Sequence, residues 1–201
     1  MLEKTLNHLA AAALALLPAT GWSATTTDAA QAEKAATAYR KSAEQGNANA
    51  ALQLGNLLNR GQVTTAKFGN AADWYKKACT LGELSACHNV GVAYENGRNG
   101  VKRDYAEAAA YYLLAAERAF LPSQFNLAAL HANSHVTSLD NREGLKWLLV
   151  AQKSARQCAD KPVCQYILAD QPGHRARLEA RLSASEQREA RQLADAWQPA
   201  R

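Results

Sequence analysis

Apolar positions recur at spacings of three and four along most of the chain, which is the periodicity of an amphipathic helix. The stretches "AALQLGNLL" (50–58) and "LSACHNVGVAY" (84–94) both have this spacing. Breaks that contain glycine separate such stretches, for example "EQGN" (44–47) and "TLGE" (80–83). Because glycine readily adopts the left-handed conformation that ends many helices, the pattern predicts pairs of helices joined by short turns.

The pattern is also repeated. Residues 38–61 align with residues 74–97 at a constant shift of 36, a third copy at 111–134 follows at a shift of 37, and a degenerate fourth copy begins near Trp147. Equivalent positions in the first three copies are Tyr39, Tyr75 and Tyr112; Gly46, Gly82 and Ala119; and Gly55, Gly91 and Ala128. No helix pair of this kind buries its apolar stripe alone, so neighbouring pairs must stack into a solenoid.

We therefore predict an all-α solenoid with four repeats across 25–170, at about 35–70, 71–107, 108–143 and 144–170. Small residues, among them Gly91, are expected to let paired helices approach closely. The aromatic residues at 74/75, 111/112 and 147 are expected to fill the core between units. Residues 171–201 are predicted to form capping helices and a tail, because a stack needs a polar end. Ser183 and Glu186 have the spacing of a capping box. The apolar stripe of this cap is expected to consist of Leu178, Leu182, Leu193 and Trp197.

The first 24 residues have a different character. Lys4 precedes an apolar run from Leu9 to Leu17, and small residues follow, which is the order of a secretory signal peptide. The run is too short to cross a bilayer, and its alternative interpretation is the buried start of a first helix. Cleavage is expected after Gly21 or Ala24. The signal predicts a periplasmic or secreted protein in an oxidising compartment, with no membrane insertion after cleavage.

Four cysteines form two local pairs, Cys79 with Cys87 and Cys158 with Cys164. Each pair flanks a predicted turn between helices, and in an exported protein such pairs favour disulfides. Zinc sites usually have tighter Cys-x2-4-Cys spacing, and redox sites have Cys-x-x-Cys. We expect structural disulfides that brace two hairpins, and no metal or other cofactor.

Composition and charge narrow the function further. The chain has 201 residues, is 48% hydrophobic and has a net charge of +5. Near the C-terminus, basic and acidic residues alternate, which predicts a solvated helix face with pairs at i,i+4. These residues are Arg175, Arg177, Glu179, Arg181, Glu186, Arg188, Glu189, Arg191 and Asp195. A nucleic-acid surface requires an uncompensated basic stripe, so we do not expect a nucleic-acid partner.

One segment, "GRNGVKRDYAEAAAYYLLAAERAFLPSQFNLAALH" (97–131), resembles the Sel1-like repeat, a relative of the tetratricopeptide repeat. The matching positions are Gly97, Gly100, Val101, Asp104, Ala108, Tyr111, Tyr112, Ala115 and Ala116. The resemblance covers about residues 35–157, and the loop "GQVTTAKFGN" (61–70) departs from it. The resemblance to the Sel1-like repeat implies a right-handed α-α superhelix whose concave side binds other proteins. The Cys-x7-Cys hairpin also resembles that of the Hcp-type cysteine-rich secreted branch, although only one repeat here has this spacing.

Candidate catalytic and metal-binding residues are few. His131 and His135 stand four apart, but no carboxylate accompanies them in the manner of a zinc hydrolase, and packing is the favoured interpretation. The serine hydrolase patterns Gly-x-Ser-x-Gly and Ser-x-x-Lys do not occur in the sequence. We therefore predict a protein that is not an enzyme and that binds a protein or peptide partner. An adaptor and an immunity protein against a periplasmic toxin both fit this prediction, and weak hydrolase or penicillin-binding activity is the alternative.

Overall fold

The structure is a computed structural model that describes residues 26–135, 140–170 and 173–200. Within these ranges the chain is helical and has no strand, which confirms the all-α prediction. The helices are α1 (Thr26–Glu44), α2 (Ala48–Asn59), α3 (Thr65–Phe68), α4 (Ala71–Thr80), α5 (Leu84–Asn96), α6 (Tyr105–Ala116), α7 (Leu121–Ala132), α8 (Asn141–Ala155), α9 (Pro162–Ala169), α10 (His174–Glu179) and α11 (Ala184–Ala196). The predicted signal peptide, 1–24, lies outside the described residues.

The chain divides into two compact units. The first holds described residues 26–123 together with 199–200, and the second holds the described residues from 124 to 198. In the first unit α1 packs on α2, α2 on α4, α4 on α5 and α5 on α6. The inner helices of this series, α2, α4 and α5, therefore each contact the helix before and the helix after, as stacked hairpins in a solenoid do. None of the helices in the described ranges combines the length and the apolar content needed to cross a bilayer.

Tyrosine side chains fill the space between successive hairpins of the first unit. Tyr75 of α4 is 2% exposed and lies against Gly55 of α2, where an added Cβ would come within 2.6 Å of the ring. Tyr112 of α6 lies against Gly91 of α5, where an added Cβ would come within 2.5 Å. The Tyr75 hydroxyl donates to Asn56 Oδ1 at 3.0 Å, and burial raises the pKa of Tyr75 to about 12. Glycines of one hairpin thus accommodate tyrosine rings of the next, and these rings fill the space between units as the sequence predicts.

The turns inside the hairpins have a left-handed backbone. Gly46 and Gly82 have φ angles of 92° and 93°. In the third copy of the repeat, Ala119 occupies the same position with a φ of 64°. This conformation costs an alanine about 1–2 kcal/mol because its Cβ crowds the backbone. The hairpin geometry is therefore kept in the third copy against the preference of the residue itself.

The first loop between repeats, which departs from the family pattern, contains its own short helix, α3. Phe68 at the end of α3 is 4% exposed, and Val63 before it is 6% exposed. The indole Nε1 of Trp74 donates to the Phe68 carbonyl at 2.6 Å. The loop is therefore anchored by apolar burial and by one side-chain hydrogen bond to the start of the next repeat.

In the second unit, α8 is the central element, and α9, α10 and α11 all pack against it. Trp147 and Leu148 of α8 are buried, and the Trp147 ring meets Trp197 edge-on with centroids 5.9 Å apart. The predicted capping box is confirmed, because Glu186 N–H is 3.3 Å from Ser183 Oγ and Ser183 N–H donates to Glu186 Oε2 at 2.8 Å.

Two expectations for the C-terminal helices are wrong. Leu193 was expected in the apolar stripe but is 39% exposed, while Ala190 and Ala194 face the interior. Because α11 packs closely on α8, alanine suits the contact better than leucine does. The expected i,i+4 pairing of charges is also wrong for Arg191, whose partner is Glu179, twelve residues earlier, at 3.2 Å.

Other arginines of this segment bind groups on earlier elements of the same unit. Arg175 Nη2 donates to Gln152 Oε1 at 2.5 Å, and Arg181 Nη1 donates to the carbonyl of His131 at 3.2 Å. These arginines connect α10 and the residues after it to preceding helices. They are therefore more than a solvated face, because each satisfies a polar atom elsewhere in the fold.

Candidate functional site

The first unit contains an open groove of about 940 Å³, which we call the α4–α6 groove. The C-terminal end of α4, the turn after it and the start of α5 form one side, and α6 forms the other. The groove is lined by Lys76, Cys79, Thr80, Leu81, Gly82, Leu84, Cys87, Glu107, Ala110, Tyr111, Leu114, Glu117, Arg118 and Ala200. Its lining is mixed and slightly more apolar than polar, and its charges, two basic and two acidic, balance.

One face of α6 forms the wall of the groove. Ala110, Tyr111 and Leu114 follow the helical spacing of three and four, so they project on one side. The opposite face, which includes Ala108 and Tyr112, is buried against the rest of the unit. The helix is therefore apolar on both faces, and only one of them is covered.

Two leucines of the groove are exposed. Leu81, in the turn after α4, is 43% exposed, and Leu114 is 52% exposed. In the repeat alignment Leu81 corresponds to Gln45 and Arg118, and Leu114 corresponds to Lys41 and Lys77. In the sequence, the signal for this exposed apolar surface is an apolar residue at a position where the other copies have polar ones.

A basic and aromatic cluster borders the groove. Lys76 Nζ donates to the Tyr94 hydroxyl at 2.9 Å and lies 5.0 Å from the centre of its ring. Tyr94 stacks in turn on Tyr111, with ring centroids 5.9 Å apart. The hydrogen bond to Tyr94 raises the pKa of Lys76, and burial raises the pKa of Tyr111. The expectation that Tyr111 belongs to the core is thus correct only in part, because its half-buried ring also faces the groove.

The predicted cysteine pairs both lie at disulfide distance. The Cys79 and Cys87 sulfurs are 2.13 Å apart with Cα atoms 4.7 Å apart, and the pair lies in the groove wall. The Cys158 and Cys164 sulfurs are 2.07 Å apart with Cα atoms 5.9 Å apart, and this pair connects the residues after α8 to α9. Pro162 is the first residue of α9, where its missing N–H removes no helical bond.

The structure buries His131 and leaves His135 exposed. His131 is 5% exposed, and its Cβ lies where a side chain on Gly144 would have to go. His135 follows α7, and its N–H donates to the Leu130 carbonyl at 3.4 Å. In the described part of the chain, no three His, Cys, Asp or Glu side chains group in a way that could hold a metal ion.

Helical hairpins that stack in series define the class of helical solenoid proteins. The Sel1 repeat family profile matches residues 48–83, 84–120 and 121–151, just over half of the chain. The chain belongs to the Sel1 repeat family. Proteins of this family generally act in protein–protein interaction, and their fold is typically a non-enzymatic scaffold.

Two solved structures are similar to this chain. One is c5321, a protective antigen of uropathogenic Escherichia coli strains displaying an SLR fold, with 28% identity, a TM-score of 0.63, and coverage of 82% of this chain and 32% of that one. The other is a Sel1 repeat protein from Oxalobacter formigenes, with 28% identity, a TM-score of 0.52, and coverage of 79% of this chain and 61% of that one. This chain therefore spans less than two thirds of either relative. Among curated proteins, none matches the chain.

Proposed function

We propose that the protein is a periplasmic or secreted interaction module that binds a partner protein or peptide in the α4–α6 groove. The observation that carries the proposal is the pair of exposed leucines, Leu81 and Leu114, on two sides of the α4–α6 groove. Apolar side chains exposed together are costly in water, and a partner that covers them recovers that free energy. The family resemblance implies binding on the concave surface, and the proposal names the α4–α6 groove as the binding site.

The export part of the proposal rests on the signal-like residues 1–24 and on two cysteine pairs at disulfide distance. Disulfides persist in oxidising compartments and are rare in reducing ones. The expected result is a mature protein in the periplasmic or secreted fraction whose thiols react with maleimide only after reduction. Thiols that react without reduction would contradict this localisation.

The binding part is tested with Leu114→Lys in the full chain. Lysine places a charge among the groove leucines, and loss of a central apolar contact weakens binding by about tenfold or more. Leu113→Lys is the matched control, because Leu113 lies next to it on α6, is 37% exposed and does not line the groove. Circular dichroism checks that both variants are folded.

The measurement is affinity capture from periplasmic extract with quantitative mass spectrometry. A partner that binds the wild type and Leu113→Lys but is lost from Leu114→Lys supports the proposal. Equal capture by all three proteins would place the binding site elsewhere. If that partner is a toxic effector encoded beside this protein's gene, the role is immunity, and otherwise an adaptor role is favoured.

A further inference from the structure

A short segment of the chain itself already lies in the α4–α6 groove. Ala200 lines the groove, and its N–H donates to the Glu117 carbonyl at 2.7 Å. Glu117 is the C-cap of α6, and the last carbonyls of a helix have no partner within the helix. The end of α6 therefore offers a backbone acceptor beside the exposed leucines, and residues 199–200 use it.

The contact shows which chemistry the groove accepts. An incoming chain that replaces Ala200 must present a backbone N–H to the Glu117 carbonyl. The chain that leads to Ala200 is extended at Trp197, and Pro199 favours an extended conformation at the residue before it. The groove charges, Lys76 and Arg118 against Glu107 and Glu117, balance, so an uncharged segment suits it better than an acidic or basic one.

From this arrangement we infer that the α4–α6 groove is an acceptor for an extended, uncharged peptide segment with apolar side chains, and that residues 199–200 occupy part of it as a competing internal ligand. The inference rests on the proposed function and adds the chemistry of the partner and a form of self-competition. Pro199 and Ala200 both remain exposed, so the internal ligand covers little of the groove. A partner with a larger apolar side chain beside Leu114 gains more burial than alanine does and displaces it.

The strength of the competition follows from the contact. One backbone hydrogen bond contributes a modest net free energy to holding residues 199–200 in the groove. Their competition lowers the apparent affinity for a peptide in proportion to the fraction of molecules in which the groove is open. Removing the hydrogen bond should therefore strengthen peptide binding about two- to tenfold. Ala200→Pro removes the N–H and keeps the extended backbone, whereas Ala200→Gly keeps the N–H and is the matched control.

The probe is the peptide acetyl-Gln-Pro-Leu-amide, which copies residues 198–200 with leucine in place of alanine. It is titrated into the isotopically labelled full-length protein, and NMR shifts are followed at Leu81, Tyr111 and Leu114. The expected result is binding at these residues, about two- to tenfold tighter in Ala200→Pro than in the wild type and unchanged in Ala200→Gly.

Equal affinity of the wild type and Ala200→Pro would overturn the internal competition, and absence of shifts at the groove residues in Ala200→Pro would overturn the peptide acceptor itself. Neither result touches the proposed function, which stands or falls with partner loss in Leu114→Lys. If Leu114→Lys loses its partner while the peptide does not bind, the groove recognises a folded surface, and only the further inference fails.

Discussion

The left-handed backbone conformation of Ala119 leads to a stability prediction of unusual sign. Ala119→Gly should stabilise the protein, although replacing alanine with glycine normally destabilises helical proteins. Ala119 has a φ of 64° and is exposed, so its methyl group contributes little packing. Its counterpart, Gly82, has a φ of 93°, and a Cβ added there meets no atom within 4 Å. Gly82→Ala therefore changes the backbone preference at the same position of the preceding turn and little else.

The magnitude follows from two opposing contributions. Glycine relieves about 1–2 kcal/mol of left-handed strain at residue 119. It also increases the conformational entropy of the unfolded chain, which costs about 0.4–1 kcal/mol. The strain is larger, so Ala119→Gly should raise the free energy of unfolding by about 0.5–1 kcal/mol. Gly82→Ala should lower it by a similar amount, which separates the two variants by about 1–2 kcal/mol.

Urea unfolding with the cysteine pairs kept oxidised, followed by circular dichroism at the helix band, measures both variants against the wild type. In thermal unfolding the separation corresponds to several degrees, since about 1 kcal/mol shifts Tm by roughly 2–4 °C in a chain of this size. If Ala119→Gly is less stable than the wild type, or Gly82→Ala is as stable as the wild type, the left-handed backbone at this turn position does not carry the predicted strain.

Three further predictions concern packing, protonation and the cysteine pairs. Gly91→Ala should lower the free energy of unfolding by about 1–3 kcal/mol in urea titrations, because its Cβ overpacks against Tyr112. His88 packs between aromatic rings, and burial lowers its pKa to about 4 from an ordinary value of 6.5. Since the unfolded chain binds the proton more readily, stability is fully present above pH 6.5 and falls towards pH 4 by up to about 1.4 kcal/mol per unit; His88→Gln should flatten this slope. Replacing Cys79 and Cys87 together with serine should lower the free energy of unfolding by about 2–3 kcal/mol. An unchanged midpoint of urea or thermal unfolding would rule out a bracing role.

The stacking of hairpins was predictable because the repeat itself carries the information. A glycine on one helix and a tyrosine 20 or 21 residues later recur as Gly55 with Tyr75 and Gly91 with Tyr112, and the contacts follow from that recurrence. The capping box at Ser183 was predictable because its two hydrogen bonds involve residues three apart. Such features depend on local spacing, which a single sequence displays directly.

The groove and the cap surface were harder to predict because they depend on which helix faces remain uncovered. Leu114 and Leu193 look like core residues in the sequence, yet both are exposed once their helices are placed. The contact between Ala200 and Glu117 joins residues 83 positions apart, and no periodic pattern connects them. Exposure of this kind is a property of the assembled unit rather than of any segment.

The pairing of tyrosine with glycine also limits how the array could be lengthened by duplication. Repeat 71–107 carries both halves of the pairing, Tyr75 and Gly91, so a tandem copy of it can join to itself. Repeat 108–143 carries Tyr112, but it has Ala128 at the position that Gly91 occupies in the preceding repeat. The repeat after it has Leu148 at the position of Tyr112. A duplicated unit placed after it would force a tyrosine ring against a methyl group. Growth of the protein by whole repeats is therefore possible in the middle of the array and blocked at its distal end.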